Sequence, residues 1–427
     1  MEKATIFALS SGAPPAAVGV IRVSGPCAGT ALATLAGRIP VSRRATLAWL
    51  ADPRTGERLD RALLLWFPGP GSATGEDLAE FHIHGGRSVA AAVLDALGRI
   101  EGLRAARPGE FTRRAFENGV LDLAEAEGLA DLLSAETQAQ RRAALAMAAG
   151  ALSRRIEEWR EAVVGAAARI EAILDFADEG DVAADDTPAR AEAARVAAEI
   201  GAMLARPTAE RLRDGIRVVL AGPPNAGKST LLNALVGREA AITAELPGTT
   251  RDLIEAPVAI DGIAYVLTDT AGLRVTDDRV ESIGVARARD AIEGADILLW
   301  LGAPKDCPAH EGAIAVQPRA DLPGREALVP GAAVAVSARN GVGMEALAEL
   351  IGAKARVLLP REGELALNLR QREALADCKA ALDEAPGDPI LFAESLRAAC
   401  RALDRVTGRA GVEDMLDALF GRFCIGK

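Results

Sequence analysis

Gly222-Pro223-Pro224-Asn225-Ala226-Gly227-Lys228-Ser229 has the spacing G-x-x-x-x-G-K-[ST]. That spacing serves phosphate chemistry. Its glycines let backbone N–H groups curl round phosphate oxygens at a helix N-terminus, where the unpaired N–H groups favour an anion. Lys228 adds a point charge, and the Ser229 hydroxyl is placed to ligate Mg²⁺.

Two further stretches point to hydrolysis of a nucleoside triphosphate, and to GTP. Asp269-Thr270-Ala271-Gly272 closes an apolar run, where an Asp can hold Mg²⁺ through water and the Gly N–H can sense a γ-phosphate. Gly248-Thr249-Thr250-Arg251-Asp252 lies where a switch loop belongs, with Thr250 as its Mg²⁺-ligating hydroxyl. Position 273, where many switch GTPases carry a water-orienting Gln, is Leu273, so another group must align the water. Arg274, Asp277, Asp278 and Glu281 are the candidates, and Asn225 is placed to help hold a cation beside the phosphates. Guanine recognition through N-K-x-D corresponds to Pro318-Arg319-Ala320-Asp321, with Asp321 kept, Arg319 for the Lys and Pro318 for the Asn. Ser337-Ala338-Arg339 matches the supporting loop, and Thr230 continues the phosphate loop into its helix.

These residues need a sheet with helices to hold them. Residues 213–356 read as strands at 216–221, 253–260, 263–268, 295–301, 314–317 and 332–336 alternating with helices. Such alternation implies a mostly parallel sheet covered on both faces. Asp261-Gly262 is a two-residue hairpin turn between two of those strands. On either side, 119–212 and 357–427 are rich in Ala, Leu, Arg and Glu at helical spacing, as in Leu121, Ala124, Leu129, Leu132 and Leu133. Asp186-Thr187-Pro188 and Asp388-Pro389 are helix starts, and Gly408 is a stop. Residues 1–118 mix short β-like runs, turns and a helix at 87–100 in an α+β pattern. The fold expected is a multidomain α/β chain: an α+β domain at 1–118, a helical domain split between 119–212 and 357–427, and an inserted Ras-like P-loop domain at 213–356.

Composition narrows the function classes. A net charge of −11 over 427 residues argues against coating nucleic acid non-specifically, although 43 Arg against six Lys leaves room for local basic patches. Five scattered Cys without a C-x-x-C argue against a disulfide framework or a zinc site, which suits a reducing cytoplasm. No apolar run reaches the eighteen or so residues of a membrane helix.

Taken together the motifs resemble the tRNA-modification GTPase family MnmE, also called TrmE, over essentially the whole chain. The resemblance rests on Gly19-Val20-Ile21-Arg22-Val23-Ser24-Gly25-Pro26, Thr74-Gly75-Glu76-Asp77, His84-Gly85-Gly86 and Pro108-Gly109-Glu110-Phe111-Thr112-Arg113-Arg114-Ala115-Phe116. It rests equally on Pro224 to Ser229, Asp269 to Arg274 and the terminal Phe423-Cys424-Ile425-Gly426-Lys427.

The resemblance implies a tetrahydrofolate-binding-like N-terminal domain that mediates homodimerisation. It implies a G domain whose GTP hydrolysis is K⁺-assisted, with K⁺ held by Asn225 and by the switch loop at Ala244, Leu246 and Thr249, amid Glu245, Pro247 and Gly248. Glu281 would help orient the water. In a heterotetramer with the FAD-dependent partner MnmG, the family adds a carboxymethylaminomethyl or aminomethyl group to the wobble uridine of certain tRNAs. The one-carbon unit comes from a 5-formyl- or methylene-tetrahydrofolate derivative. Folate contacts carried over by position are Arg22, Glu80, position 120 and Lys427; position 120 is Val120, which cannot pair with a carboxylate. Cys424 is a candidate catalytic thiol.

Other residues have plainer readings. Arg22 among Val18, Val20, Ile21 and Val23 needs an anionic partner, a ligand carboxylate before an internal salt bridge. Glu80 on its own reads as solvated. His82 and His84 share a strand face, with structural roles expected. The acidic run 178–186 reads as a solvated loop, and Arg141, Arg142, Arg154 and Arg155 read equally as a tRNA-facing patch or a solubilising face. The competing functions are a ribosome-assembly GTPase, which would need a basic RNA-binding appendage, and a folate-binding scaffold with a weak G domain.

Overall fold

The structure is a computed structural model. It describes residues 4–175, 185–238, 255–270, 288–325, 327–361, 363–410, 416, 419–421, 423 and 425–426. The chain divides into two compact units. One is Met1–Ala130, Ala148–Glu157 and Leu403–Lys427; the other is Asp131–Met147 and Glu158–Ala402.

The first unit is built on a six-stranded sheet of β1 (Thr5–Leu9), β2 (Val18–Ser24), β3 (Thr46–Ala51), β4 (Arg58–Phe67), β5 (Leu78–His84) and β6 (Leu103–Ala105), in the order β3-β4-β5-β2-β1-β6. Strict alternation sends Ile21, Val23, Leu50, Leu64, Phe81 and Ile83 to one face. There they pack on Leu32 and Leu35 of α1 (Ala28–Ala36) and Val93 and Leu97 of α2 (Arg87–Gly98). The sequence predicts α2 but not α1, because Cys27 before α1 offers no capping hydrogen bond and the helix is marked only by Gly37 in the left-handed region. Likewise α3 (Glu110–Glu117) starts on Gly109, whose φ of 66° and lack of a side chain suit the close approach of the Phe420 carbonyl. The terminal segment lies in the same unit: Ile425 bridges Pro108, and a Cβ on Gly426 would stand 2.2 Å from the Leu9 carbonyl oxygen.

α4 (Leu123–Ser134) confirms the helical spacing with one change of face: Leu133 is exposed, and Leu123, Ala124, Ala126 and Gly128 are the buried positions.

Helices α5 (Gln138–Ala148), α6 (Ala151–Asp175, of which the residues up to Glu157 belong to the first unit), α7 (Thr187–Leu204) and α8 (Ala209–Asp214) precede a second six-stranded sheet, which lies in the second unit. That sheet comprises β7 (Ile216–Ala221), β8 (Glu255–Ile260), β9 (Ile263–Asp269), β10 (Ile297–Trp300), β11 (Ala313–Pro318) and β12 (Val334–Val336), ordered β12-β11-β10-β7-β9-β8. All neighbours are parallel except the β8–β9 hairpin, whose turn residues Asp261 and Gly262 both have positive φ. α9 (Lys228–Arg238) and α10 (Met344–Leu358) bury Leu231, Leu235, Leu347 and Ile351 in its core. α11 (Leu369–Glu384) packs along α7, and α12 (Pro389–Thr407) follows. α7 starts where Asp186 predicts, but not through a cap: Asp186 accepts from Arg190 Nε at 2.7 Å, and the backbone N–H of Thr187 is met by Asp185 at 3.0 Å.

Among the described residues no helix is long and apolar enough to cross a membrane.

Candidate nucleotide-binding site

β7 lies between β10 and β9, and the chain order of the sheet reverses at this strand. The crevice beyond the carboxyl end of such a strand is where open parallel sheets bind ligands. The phosphate loop occupies that place, running from β7 into α9. Gly222 has φ 148°, and a Cβ there would stand 3.1 Å from the Leu301 carbonyl carbon, so only glycine lets the loop pass β10.

Lys228 sits in the first turn of α9 and is buried; its Nζ donates to the Gly222 carbonyl at 3.0 Å and the Pro223 carbonyl at 3.1 Å. Its charge is thus held inside the curl of the loop, at the positive end of a helix. Ser229 Oγ donates to Asp269 Oδ2, joining two oxygen ligands expected from stretches 40 residues apart. Thr270 Oγ1 donates to the Leu220 carbonyl at 2.9 Å and fastens the end of β9 to β7. Hydroxyl and carboxylate oxygens suit a hard divalent cation such as Mg²⁺.

Beside the loop lies a cavity of about 330 Å³, lined by Ala226, Gly227, Thr230, Asp321, Ala338 and Arg339 among others. It brings together the expected phosphate and base-recognition segments. The Ser337 hydroxyl holds the Asp321 carboxyl below the usual carboxylate range, with help from its own backbone N–H and the nearby Arg339 and Arg319 guanidinium groups. An ionised Asp is the acceptor that paired base N–H groups require.

Two contacts here escape motif reading. Arg319, in a left-handed conformation, donates from Nη2 to the Asn225 carbonyl and ties the base-side loop to the phosphate loop. Buried Gln317 donates to the carbonyls of Arg325 and Ala327 at 2.9 and 3.0 Å and accepts from Val329 N at 2.6 Å, so it shapes the loop that follows Asp321. Ala244, Glu245, Leu246, Pro247, Gly248, Thr249, Thr250, Ala271, Gly272 and Glu281 lie outside the described residues, as do Cys424 and Lys427 and most of the acidic run.

In the first unit, the partner expected for Arg22 is internal. Its Nε donates to Glu80 Oε1 at 2.8 Å, and His82 Nε2 stands 2.9 Å from Glu80 Oε2. Glu80 is therefore not a solvated acid: its side chain is 13 % exposed. Burial raises its pKa, but the hydrogen bonds from His82 and Arg22 outweigh that and leave it lowered. His84 pairs with Asp60 at 2.7 Å, and no cluster of His, Cys, Asp and Glu among the described residues could hold a metal. Val120 is exposed, with its Cγ2 beside Gly75.

A second polar cluster, not anticipated, joins the end of β2 to α3. Arg114 is 5 % exposed and donates to Glu76 at 2.9 Å, to Glu110 at 3.3 Å and to the Ala4 carbonyl at 2.7 Å. Glu76 also accepts from Ser24 Oγ at 2.9 Å, so the Thr74-to-Asp77 stretch is pinned to β2 and α3.

A family model described as the N-terminus of the GTP-binding protein TrmE matches residues 5–120, and one described as the MnmE helical domain matches 123–424. A tRNA modification GTPase MnmE of Novosphingobium aromaticivorans is 57 % identical over 435 residues, covering 99 % of each chain. One of Rhizorhabdus wittichii is 60 % identical over 428 residues, covering 99 % of this chain and 96 % of its own. One of Zymomonas mobilis is 52 % identical over 434 residues, covering 99 % of this chain and all of its own. With the phosphate loop, the Ser229–Asp269 contact and the sheet order around them, these matches establish that the chain belongs to the MnmE family of tRNA modification GTPases.

Proposed function

We propose that this protein hydrolyses GTP and couples the cycle to modification of the wobble uridine of certain tRNAs. The observation that carries the hydrolytic part is the meeting of Ser229 and Asp269 beside buried Lys228, at the switch point of a parallel sheet. Loop N–H groups and Lys228 bind the phosphates. Ser229 and Thr250 hold Mg²⁺ directly and Asp269 supports it; when bound, that ion neutralises charge developing on the β- and γ-phosphate oxygens. Asp321 accepts from the guanine N–H groups. Leu273 cannot hydrogen-bond, so Glu281 orients the water, and Asn225 with Ala244, Leu246 and Thr249 holds K⁺.

The remaining functional residues belong to the N-terminal side. Glu80, fixed by Arg22 and His82, is an ionised acceptor of defined direction, which suits the N–H groups of a pterin ring. Gly426 against Leu9 puts the terminal segment at the end of the strand that pairs with the Arg22 strand, consistent with Lys427 and Cys424 serving a folate site. The reading assigns 1–118 to folate binding and homodimerisation, 119–212 and 357–427 to the helical domain, and 213–356 to the G domain. Its reaction adds a carboxymethylaminomethyl or aminomethyl group at C5 of the uridine, in a cytoplasmic heterotetramer with MnmG, using a tetrahydrofolate one-carbon unit.

GTP turnover by the purified chain in KCl against NaCl tests the hydrolytic part. Turnover in KCl that Lys228→Ala removes is the expected result, and no turnover in either salt overturns it.

A further inference from the structure

The helices α1 and α2 cover one face of the N-terminal sheet. On the opposite face, β3 and β4 present Leu47, Trp49 and Leu63, which are 49 %, 48 % and 37 % exposed. Trp49 pairs across the strands with Arg61. The Arg58 guanidinium lies 4.6 Å from the Trp49 ring centroid and that of Arg61 lies 5.9 Å away. At the other end of β4, Arg43 stands 5.6 Å from the Phe67 ring. Arg61 and Phe67 are six residues apart on one face, about 20 Å at strand rise. Neither Arg58 nor Arg61 has a carboxylate within ion-pair distance among the described residues.

We propose that this face is an RNA contact, with Trp49 and its two arginines stacking an unpaired base and Arg58, Arg61 and Arg43 meeting the flanking phosphates. The proposal rests on the tRNA reading above and names where the nucleic acid is held. Aromatic rings and guanidinium planes on an open sheet face are what single-stranded bases stack on, and their partner is a polyanion. A second copy of this chain fits less well. Covering Arg58 and Arg61 with an apolar surface would desolvate two guanidinium groups, a cost that a polyanion offsets. The patch is also basic in a chain of net charge −11, so it stands out as a local target for an anion.

The test uses the full chain and an unmodified tRNA transcript with uridine at the wobble position, followed by fluorescence anisotropy across a range of NaCl. Trp49→Ala is expected to weaken binding about tenfold with the salt dependence unchanged, because it removes stacking and no charge. Trp49→Phe should recover most of that loss. Arg58→Ala/Arg61→Ala should weaken binding and lower the slope of log affinity against log salt by about 2. GTP turnover should stay within about twofold of wild type in all three, since none lies at the phosphate loop. Variants that all bind the transcript like the wild type would overturn the proposal. So would a shift of Trp49→Ala to monomer in sedimentation at unchanged tRNA affinity, which would assign the face to a second copy. Failure of the tRNA reading itself looks different: the wild-type chain binds no transcript, and cells lacking it keep their wobble nucleosides.

Discussion

Ser229 Oγ donates its hydrogen to Asp269 Oδ2, joining the first turn of the helix after the phosphate loop to the end of the neighbouring parallel strand. The contact fixes the distance between the start of α9 and the end of β9. It exists because β7 and β9 are adjacent in the sheet although α9 and β8 separate them in the chain.

Lys228→Ala should cut GTP affinity about ten- to a hundredfold, the range for losing a charge-assisted hydrogen bond to phosphate. Ser229→Ala should leave nucleotide affinity closer to wild type without Mg²⁺ and lower it when Mg²⁺ is added. Titration with a fluorescent GTP analogue, with and without Mg²⁺, distinguishes the two.

Asp321→Asn replaces an acceptor by a group that also donates. Guanine presents N–H donors to this position, whereas xanthine presents a carbonyl at C2. The variant should therefore lose most GTP turnover and gain turnover of xanthosine triphosphate. Steady-state rates with both nucleotides read the switch, and unchanged GTP preference would remove Asp321 from base recognition.

Leu273 offers no hydrogen bond to water, and the proposed function puts a monovalent cation near Asn225. GTP turnover should be higher in KCl than in NaCl at equal ionic strength, and Asn225→Ala should reduce that difference. Equal rates in the two salts would remove the cation from the account.

Buried Arg114 bridges Glu76 and Glu110, so Arg114→Ala removes one charged partner from each and should destabilise the N-terminal unit by about 1 to 3 kcal/mol. Glu110 is pulled from 4.5 to about 2: burial opposes the shift, and the Arg104 side chain, the Arg107 N–H and Arg114 outweigh it. A depressed folded-state value means the stabilisation is complete above about 4.5 and is lost as pH falls from there towards 2. Its size, discounted for solvent screening, is on the order of 1 to 2 kcal/mol. Urea unfolding between pH 6 and pH 3 should show this loss in the wild type and less of it in Glu110→Gln.

Much of the nucleotide site is legible in the chain because its parts are local. The loop from Gly222 to Ser229, the Asp261-Gly262 turn and the strands around them are each set by near neighbours in sequence. What is not legible depends on residues far apart. Arg114 is one of 43 arginines, and nothing local marks it as the one buried between Glu76 and Glu110. Glu80 reads as a solvated acid until strand pairing sets it opposite Arg22. Gln317 reads as a strand residue, and only the returning loop gives its amide three backbone partners. Helix α1 escapes notice because its start lacks a capping side chain. The open face at Trp49 is hidden for a related reason: alternation predicts which residues leave the core, but not that two arginines settle on the ring.

The central claim is that nucleotide hydrolysis at Lys228 drives modification of tRNA. It is tested most directly by mass spectrometry of wobble-uridine nucleosides in total tRNA from cells lacking this gene, complemented with the wild type or with Lys228→Ala. The account predicts loss of the aminomethyl-type modification, recovery with the wild-type gene and no recovery with Lys228→Ala. Unchanged nucleosides in the deletion strain would contradict it.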